Sequence, residues 1–318
     1  MQTALVAGGA GFIGSNLCKN LLDNSYNVIC VDNFLTSDKS NIKSLLDNSN
    51  FKLIEHDIVK PFNGIESGKI DFIFHLASPA SPNQKSPRSY INFPLETLLA
   101  NSVGTRNLLD LAKEKEARFL YASSSEVYGD PVTSPQKEDY FGNVNPNGIR
   151  SVYDEGKRFG EAITMAYFRK FHLDVRIVRI FNTYGPFMQK DDGRVVSNFI
   201  NQAIKNIPLT IYGQGKQTRS FCYVDDMVNG LMLVMFSENT NGQVFNLGNP
   251  DEKTILELAQ LIKKLTKSAS EIVYEKLPLD DPKKRNPDIS KARKILGFSP
   301  KVKTEDGLLK TIEYFKSL

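Results

Sequence analysis

Short apolar segments that alternate with helical segments limit what the first 180 residues of this chain can fold into. The apolar segments lie at residues 5–7, 28–32, 51–54, 72–76, 118–122 and 175–180. Helical segments are predicted between several of them, at residues 15–22, 97–114 and 152–171. Because strands that are apolar on both sides must be covered on both sides, this pattern predicts an α/β fold, a doubly wound parallel sheet between two layers of helices.

The rhythm changes after residue 180, where asparagine, glycine and proline become frequent. We therefore expect one domain at residues 1–180 and a smaller C-terminal substrate-binding lobe at 181–318. The boundary is approximate, and the prediction allows the chain to return to the sheet. Within the lobe, Thr254 and Glu257 have the spacing of a capping box, which predicts a helix over 254–267. Residues 280–287 are predicted to form a loop.

Composition and charge argue against several classes of protein. The 318 residues include 40 Lys and Arg and 36 Asp and Glu, and the net charge of +4 is spread along the chain. Because nucleic-acid-binding proteins usually cluster their basic residues, no nucleic-acid partner is expected. Three cysteines without ligand spacing predict neither a disulfide framework nor a metal site. Without a signal-peptide pattern or an 18-residue apolar run, the chain is expected to be a cytoplasmic enzyme with no membrane partner.

A glycine triplet, Gly8, Gly11 and Gly14, lies between the first apolar segment and the first helix. Glycines there allow the backbone to turn tightly and to approach a pyrophosphate, which then lies on free N–H groups at the helix start. Asp32 ends the second apolar segment, where a carboxylate can accept both ribose hydroxyls and repels a 2′-phosphate. The combination predicts a Rossmann-type site for NAD rather than for NADP.

Neighbouring positions complete the predicted cofactor site. His56 and Asp57 follow the third apolar segment, where they can contact the adenine, and Asp57 can equally cap a turn. The predicted NAD-binding residues are Gly8, Gly11, Phe12, Ile13, Gly14, Asp32, Asp57, Ile58, Leu76 and Lys157.

Tyr153 and Lys157 are four residues apart on the helix predicted at 152–171, so their side chains share one face. A lysine cation beside a tyrosine lowers the pKa of the phenol because it stabilises the phenolate. Such a pair can remove a hydroxyl proton while a hydride leaves the same carbon for a nicotinamide, and the lysine can also hold the nicotinamide ribose. The pair is therefore predicted to be catalytic.

Polar residues 123–129 follow the fifth apolar segment, at the edge of the sheet where α/β folds bind ligands. A serine in this segment can hydrogen-bond the reacting hydroxyl. Glu126 supplies an acid or base beyond the needs of simple hydride transfer, or else is a carboxylate at the start of a helix.

These motifs and the chain length resemble the extended short-chain dehydrogenase/reductase superfamily. Longer strings resemble, more narrowly, its UDP-glucuronate decarboxylase (UDP-xylose synthase) family, and the resemblance runs from end to end. The strings are ASPASP at 77–82, SSSEVYGDP at 123–131, GNVNP at 142–146, RSVYDEGKR at 150–158, RIFNTYGP at 179–186, DGRVVSNFI at 192–200, QTRSF at 217–221 and KRNPDI at 284–289.

The resemblance implies tightly bound NAD and a carboxy-lyase reaction on UDP-glucuronate, bound by the lobe at 181–318. Tyr153 would accept the C4 hydroxyl proton as a hydride passes to NAD. The C4 ketone is β to the C6 carboxylate, so CO2 is lost, the enolate is protonated at C5 and the hydride returns to C4. The implied catalytic residues are Tyr153, Lys157, Ser125 and Glu126. The implied substrate-binding residues are Asn182, Arg219, Arg285 and Tyr90.

This sequence departs from the family pattern at three places. Residues 83–92 are about five residues longer than the usual loop, Glu96 replaces a usual lysine, and Phe187 replaces a usual arginine. Two cations are thus missing near the expected substrate mouth, which leaves C4 oxidation of a nucleotide sugar better supported than decarboxylation.

Alternative functions stay open at this point. A 4,6-dehydratase is expected to carry Asp before the glutamate, where this chain has Ser125. A 4-epimerase would leave Glu126 without a role, and a C4 oxidase could act on another nucleotide hexose. A dinucleotide-binding scaffold would not need Tyr153 and Lys157. By resemblance, the helices near 97–114 and 152–171 are expected to form a homodimer interface.

Overall fold

The computed structural model of the chain describes residues 1–62, 68–276 and 284–318. The strands in these ranges are, in chain order, β1 (Thr3–Ala7), β2 (Asn27–Asp32), β3 (Phe51–Glu55), β4 (Phe72–His75), β5 (Arg118–Ser124), β6 (Val175–Ile180), β7 (Thr183–Tyr184), β8 (Leu209–Tyr212), β9 (Thr218–Ser220), β10 (Cys222–Tyr223), β11 (Gln243–Leu247), β12 (Glu252–Thr254), β13 (Ile272–Glu275) and β14 (Lys284–Arg285). Six of them, β1 to β6, are the strands predicted from the apolar segments.

The helices in the same ranges are α1 (Phe12–Asp23), α2 (Pro94–Leu99), α3 (Thr105–Lys115), α4 (Ser151–Phe171), α5 (Val195–Ile204), α6 (Val224–Phe236), α7 (Ile255–Thr266), α8 (Ser290–Leu296) and α9 (Thr304–Ser317). A π-helical turn over Ala100–Gly104 joins α2 to α3, so the single helix predicted at 97–114 is two α-helices. Short 3-10 helices lie at Lys39–Leu45 and Ser125–Tyr128. The predicted capping box at the start of α7 is confirmed, since the side chains and backbone N–H groups of Thr254 and Glu257 bond reciprocally.

Seven strands form one sheet in the order β11-β6-β5-β4-β1-β2-β3, and every neighbouring pair is parallel. The chain order reverses at β1, which lies between β2 and β4. In open α/β sheets a crevice for ligands forms at such a reversal, outside the carboxyl ends of the strands. The predicted doubly wound parallel sheet is confirmed.

Successive residues of the strands enter two separate hydrophobic cores. In β1, Ala4 and Val6 belong to the core on one side of the sheet, and Leu5 and Ala7 belong to the core on the other side. Helices α1 and α6 pack on the first side, and α3 and α4 on the second. Both faces of β1, β2, β4 and β5 are therefore buried, which is why these strands are apolar at consecutive positions, whereas the edge strand β3 exposes Lys52 and Glu55.

The sheet takes its seventh strand from beyond residue 180. Strand β11 pairs with β6 along its whole length, and α6 packs against β6 and β11. The other strands of the second half form small sheets, in the orders β12-β9-β14, β10-β7 and β13-β8. Of the loop predicted at 280–287, residues 280–283 lie outside the described residues, and Lys284–Arg285 forms β14 rather than a loop. The division into a domain at 1–180 and a lobe at 181–318 stays a prediction.

Helix α4 packs closely on β5 at one glycine, and this contact generates a stability prediction. A Cβ atom at Gly160 would overlap the buried phenol of Tyr121, whereas a Cβ at Gly156, one turn earlier, would lie 3.4 Å from its nearest neighbour, on Asn101. We expect Gly160→Ala to lower the free energy of unfolding by about 2 kcal/mol through overpacking. Gly156→Ala is the matched control and is expected to be neutral or to stabilise the helix by up to about 1 kcal/mol.

Urea unfolding curves of the two variants measure both free energies. Equal losses of stability in both variants would contradict the proposed packing contact, because the two glycines share one helix and differ chiefly in what a methyl group would meet.

Candidate active site

A cavity of about 700 Å³ opens at the carboxyl edge of the parallel sheet. One side is formed by the glycine segment after β1, by the ends of β4, β5 and β6, and by the start of α4. The other side is formed by residues 188–199 and by the turn around β9. The residues that bind and react with a ligand therefore come from both halves of the chain.

The glycine segment forms a backbone cradle at one end of this cavity. Gly8 has a φ of +80°, and a Cβ atom there would lie 2.7 Å from the backbone nitrogen of Ala77 on the neighbouring loop. A Cβ at Gly14 would overlap the carbonyl oxygen of Gly8. Within the described residues, no side chain caps the start of α1, so its first N–H groups face the cradle. This arrangement fits the pyrophosphate of a dinucleotide.

The carboxylate of Asp32, at the end of β2, organises the turn beside the cradle. It accepts hydrogen bonds from the backbone N–H groups of Ala10 (2.9 Å) and Phe34 (3.0 Å) and from the hydroxyl of Ser37 (2.7 Å). The side chain is 8% exposed and lies just behind the cavity lining, which includes Thr36 and Ser37. Asp32 thus holds the turn beside the cradle in shape, and its role as a ribose acceptor stays a prediction.

The other predicted cofactor residues divide into two groups. Gly8, Gly11, Phe12, Ile13, Gly14, Leu76 and Lys157 line the cavity. Asp57 instead accepts a hydrogen bond from the backbone N–H of Val59 (3.0 Å), which is the turn-capping alternative, and Ile58 is buried beneath Gly104. Neither Asp57 nor Ile58 belongs to the cavity lining among the described residues.

The phenol of Tyr153 lies in the cavity and forms a hydrogen bond with Ser124, the last residue of β5. Burial raises the pKa of Tyr153 to about 12, while the hydrogen bond with Ser124 and the charge of Arg194 act in the opposite direction. Ser125, which the resemblance implied, also lines the cavity. The sequence did not single out Ser124 because residues 123–125 are all serines. Which of their hydroxyl groups reaches the tyrosine depends on where β5 ends.

Lys157 lies one turn of α4 beyond Tyr153, and its ammonium group donates a hydrogen bond to the carbonyl oxygen of Ala122 at 2.9 Å. The same ammonium lies 5.7 Å from the centre of the Tyr153 ring. Burial lowers the pKa of Lys157 to about 7, although the charge of Glu161 raises it. Lys157 is thus held between the tyrosine and the strand, but the pKa of Tyr153 is raised by burial and not lowered as expected.

Glu126 is the centre of a buried charge cluster. Its carboxylate pairs with Arg150 from the segment before α4 and, at 3.0 Å, with Arg285 from β14. Burial alone would raise the pKa of Glu126, but the charges of Arg285, Arg150 and Arg219 lower it to about 2. Glu126 is therefore ionised. It lies in the first turn of the 3-10 helix at Ser125–Tyr128, and it also forms an ion pair with Arg285 from the second half of the chain.

Asp154, next to Tyr153 on α4, is a buried carboxyl that sequence reasoning did not single out. Burial and the nearby charge of Glu126 raise the pKa of Asp154 to about 8. Within the described residues its Oδ1 atom has no hydrogen-bond partner. The raised pKa favours the protonated form of Asp154 at neutral pH, next to Tyr153 on α4.

The predicted substrate-binding residues are not all in the same environment. Asn182, Arg219 and Tyr90 line the cavity. The ring of Tyr90 stacks on that of Tyr153 with centres 4.9 Å apart, and within the described residues its buried hydroxyl has no hydrogen-bond partner. Arg285 is 1% exposed and donates hydrogen bonds to Glu126 and to the carbonyl oxygen of Gly129, so it lies behind the lining. It is a buried ion-pair partner rather than a solvated loop residue.

Glu96 and Phe187, the two positions that lack the usual cations, lie outside the cavity lining. This corrects the expectation that they border the substrate mouth. Glu96 is exposed on α2, and the ring of Phe187 packs against Tyr314 with centres 5.5 Å apart. Other cations line the cavity, among them two from the longer segment 83–92. The lining cations are Lys85, Arg88, Arg150, Lys157, Arg194 and Arg219. An anionic ligand therefore meets a positively charged cavity despite Glu96 and Phe187.

Within residues 1–62, 68–276 and 284–318, no group of His, Cys, Asp and Glu side chains could hold a metal ion. No helix in the same ranges is long and apolar enough to cross a membrane.

Known proteins similar to this chain belong to one family of enzymes. Residues 4–248 match the model of the NAD dependent epimerase/dehydratase family. UDP-glucuronic acid decarboxylase 1 of Danio rerio is 52% identical over 311 residues, which is 98% of this chain and 72% of that protein. UDP-glucuronic acid decarboxylase 4 of Arabidopsis thaliana is 51% identical over 312 residues, 98% of this chain and 68% of that protein.

A solved structure with bound ligands has the same fold. UDP-glucuronic acid 4-epimerase from Bacillus cereus, in complex with UDP-glucuronic acid and NAD, is 32% identical, with a TM-score of 0.87 and 99% of both chains covered. The cradle and the pair formed by Tyr153 and Lys157 thus occur on a fold that holds a dinucleotide and a nucleotide sugar together. The chain belongs to the NAD dependent epimerase/dehydratase family, and the curated relatives quoted above are UDP-glucuronic acid decarboxylases.

Proposed function

We propose that this chain is an NAD-dependent carboxy-lyase that converts UDP-glucuronate to UDP-xylose and CO2 through a 4-keto intermediate. The observation that carries the proposal is that one cavity joins the glycine cradle, the phenol of Tyr153 and several cations. The identity of about half of all residues with decarboxylases of fish and plants supports the choice of this reaction over the others.

The cofactor is held at the cradle end of the cavity. Gly8, Gly11 and Gly14 leave room for the pyrophosphate on the first N–H groups of α1. Asp32, just behind the lining, would accept hydrogen bonds from the ribose hydroxyls, and Lys157 would hold the second ribose. When bound there, NAD supplies an acceptor for the hydride from C4 and returns it at the end of the reaction. The remaining steps depend on side chains of this chain.

Tyr153 accepts the proton of the C4 hydroxyl, and Ser124 orients the phenol and shares the proton. The positive charge of Lys157 stabilises the phenolate when it forms. Loss of CO2 breaks the C5–C6 bond, and its electron pair moves onto the C4 carbonyl oxygen. Tyr153 and Ser124 then donate hydrogen bonds to that oxygen, so the developing negative charge meets preorganised donors.

Substrate recognition uses the cations at the other end of the cavity. Arg150, Arg194 and Arg219 are placed to bind the phosphates and the C6 carboxylate, since guanidinium groups match both kinds of anion. Tyr90 contributes its unpartnered hydroxyl, and Asn182 contributes its amide. Arg285 acts one step removed, because it keeps Glu126 ionised and in place beside the sugar.

The reaction itself can be tested with purified protein. UDP-glucuronate and, separately, UDP-, dTDP- and GDP-hexoses are incubated with the protein, and products are identified by NMR and mass spectrometry. We expect UDP-xylose and CO2 from UDP-glucuronate only, and loss of this activity in Tyr153→Phe, which keeps the ring stacked on Tyr90. Turnover restricted to a neutral hexose, or formation of the 4-epimer of UDP-glucuronate, would refute the proposal.

We propose different roles for two adjacent serines, Ser124 and Ser125. We expect Ser124→Ala to lower kcat by about 100-fold or more, because it removes the hydrogen bond to the phenol that exchanges the proton. Ser125→Ala should lower kcat less and affect KM more, since Ser125 lines the cavity without that bond. Steady-state kinetics of both variants measure this difference, and the reverse order of effects would assign the catalytic hydroxyl to Ser125.

We also propose that the protein is a cytoplasmic homodimer. Four apolar side chains, Leu95, Leu98, Leu99 and Val103, are 68%, 37%, 43% and 38% exposed along one side of α2 and the following π-helical turn. Contiguous exposed apolar surface on a helix is characteristic of an interface, and α2 packs beside α4 as the resemblance to dimeric relatives implies. The free, buried cysteines Cys18, Cys30 and Cys222 suit a reducing compartment.

The dimer is tested by placing a charge on this surface. We expect Leu99→Glu to convert the dimer to monomers, because a carboxylate would be buried without a partner in the interface. Leu309→Glu is the matched control, since Leu309 is a leucine of α9 that is 41% exposed outside this surface. Light scattering coupled to gel filtration measures the mass, and a wild-type protein of single-chain mass would contradict the proposal.

A further inference from the structure

Residues 81–92, which we call the strap, form a closed loop that contributes Asn83, Gln84, Lys85 and Arg88, among others, to the cavity lining. The backbone N–H of Tyr90 donates a hydrogen bond to the carbonyl oxygen of Ser81 at 3.0 Å and closes the loop at its base. Within it, the side-chain amide of Asn92 donates to the carbonyl oxygen of Ser86 at 2.8 Å. The strap includes the residues that make this segment longer than the family pattern, and it is ordered by its own hydrogen bonds.

One side of the strap is fixed to residues 191–193 of the second half of the chain. The hydroxyl groups of Ser81 and Ser86 donate hydrogen bonds to the carbonyl oxygens of Asp192 and Asp191. The side-chain amide of Asn83 donates to the carbonyl oxygen of Gly193 at 3.2 Å. The strap is therefore attached to the side of the cavity formed by the second half of the chain.

The other side of the strap reaches the cofactor side through one side chain. The Nη1 atom of Arg88 donates hydrogen bonds to the carbonyl oxygens of Thr36 (2.8 Å) and Ser37 (3.2 Å). The Nε atom of the same guanidinium donates to the carboxylate of Asp191 at 2.8 Å. The turn that Arg88 binds is the one whose Ser37 hydroxyl donates to Asp32.

Arg88 thus joins three parts of the cavity wall: the turn beside Asp32, the strap and residue Asp191. Its guanidinium can do so because its N–H donors have fixed directions, whereas a lysine ammonium is a point charge on a flexible stem. Thr36, Ser37 and Arg88 all line the cavity. Arg88 therefore ties the turn beside Asp32, at the cradle side of the cavity, to the strap.

We infer that Arg88 is a positioning residue that retains the cofactor during turnover by holding the strap closed over the cavity. The inference rests on the proposed function, in which the cofactor must stay bound between two half-reactions. If it leaves early, UDP-glucuronate and NAD yield a UDP-4-keto-pentose, CO2 and NADH in equal amounts. If it stays, NADH and one proton reduce the ketone, and the products are UDP-xylose, CO2 and NAD.

The first measurement follows cofactor release directly. Protein loaded with NADH is mixed with excess NAD, and the decrease of NADH fluorescence gives the dissociation rate. We expect Arg88→Ala to release NADH about tenfold faster than the wild type, the effect of losing charge-assisted hydrogen bonds that are partly exposed. Arg88→Lys should not restore slow release, because one ammonium cannot keep both sets of bonds.

The second measurement is the product ratio with UDP-glucuronate and NAD. Arg88→Ala is expected to release UDP-4-keto-pentose and NADH in a fixed proportion to UDP-xylose, whereas the wild type forms UDP-xylose alone. Lys190→Ala is the matched control, since Lys190 is an exposed cation next to Asp191 that lies outside the cavity lining. Asp191→Ala breaks the strap contact from the other side and should shift both readouts in the same direction.

Unchanged NADH release in both Arg88→Ala and Asp191→Ala would overturn the inference, as would full rescue by Arg88→Lys. A lower unfolding temperature with unchanged release would also overturn it, because the contact would then be only structural. Failure of the wild type to form UDP-xylose refutes the proposed function instead, and the NADH release assay still decides the role of Arg88.

Discussion

All seven strands of the central sheet run in one direction, and the arrangement of the site depends on this constraint. Parallel strands end at the same edge, so the residues that follow β1, β4, β5 and β6 are brought together although they are far apart in the chain. Burial of both faces leaves this edge as the place where polar side chains can meet a ligand. The glycine cradle and Tyr153 share a cavity for that reason.

Charge in the cavity is controlled by pairing and burial. Glu126 is ionised because arginines from both halves of the chain lower its pKa. The pKa of Asp154 is raised instead, because burial and the charge of Glu126 outweigh the effect of Arg150 and Arg285. Two carboxyl groups therefore have opposite protonation states at neutral pH. Removing an arginine from this cluster would leave the carboxylate of Glu126 with fewer compensating charges, a costly change.

Much of the architecture could be predicted from local sequence. The six strands, the helix that carries Tyr153 and Lys157, and the capping box at Thr254 all follow from patterns within about twenty residues. Local signals did not resolve which of three successive serines bonds to the tyrosine, nor that β14 forms where a loop was expected. Those features depend on where a strand ends and on pairing with β9, and both are decided by distant residues.

The sequence by itself determined the parallel sheet, the glycine turn before α1 and the position of Tyr153 and Lys157 on one face of α4, because apolar periodicity, glycine spacing and helical spacing are local properties of the chain. Only the tertiary structure decided the electrostatics and the closure of the site. It placed Glu96 and Phe187 outside the cavity lining, buried Arg285 against Glu126, and brought Arg88 between Asp191 and the turn beside Asp32. The physical reason is that burial and charge pairing depend on distances between residues that are remote in sequence.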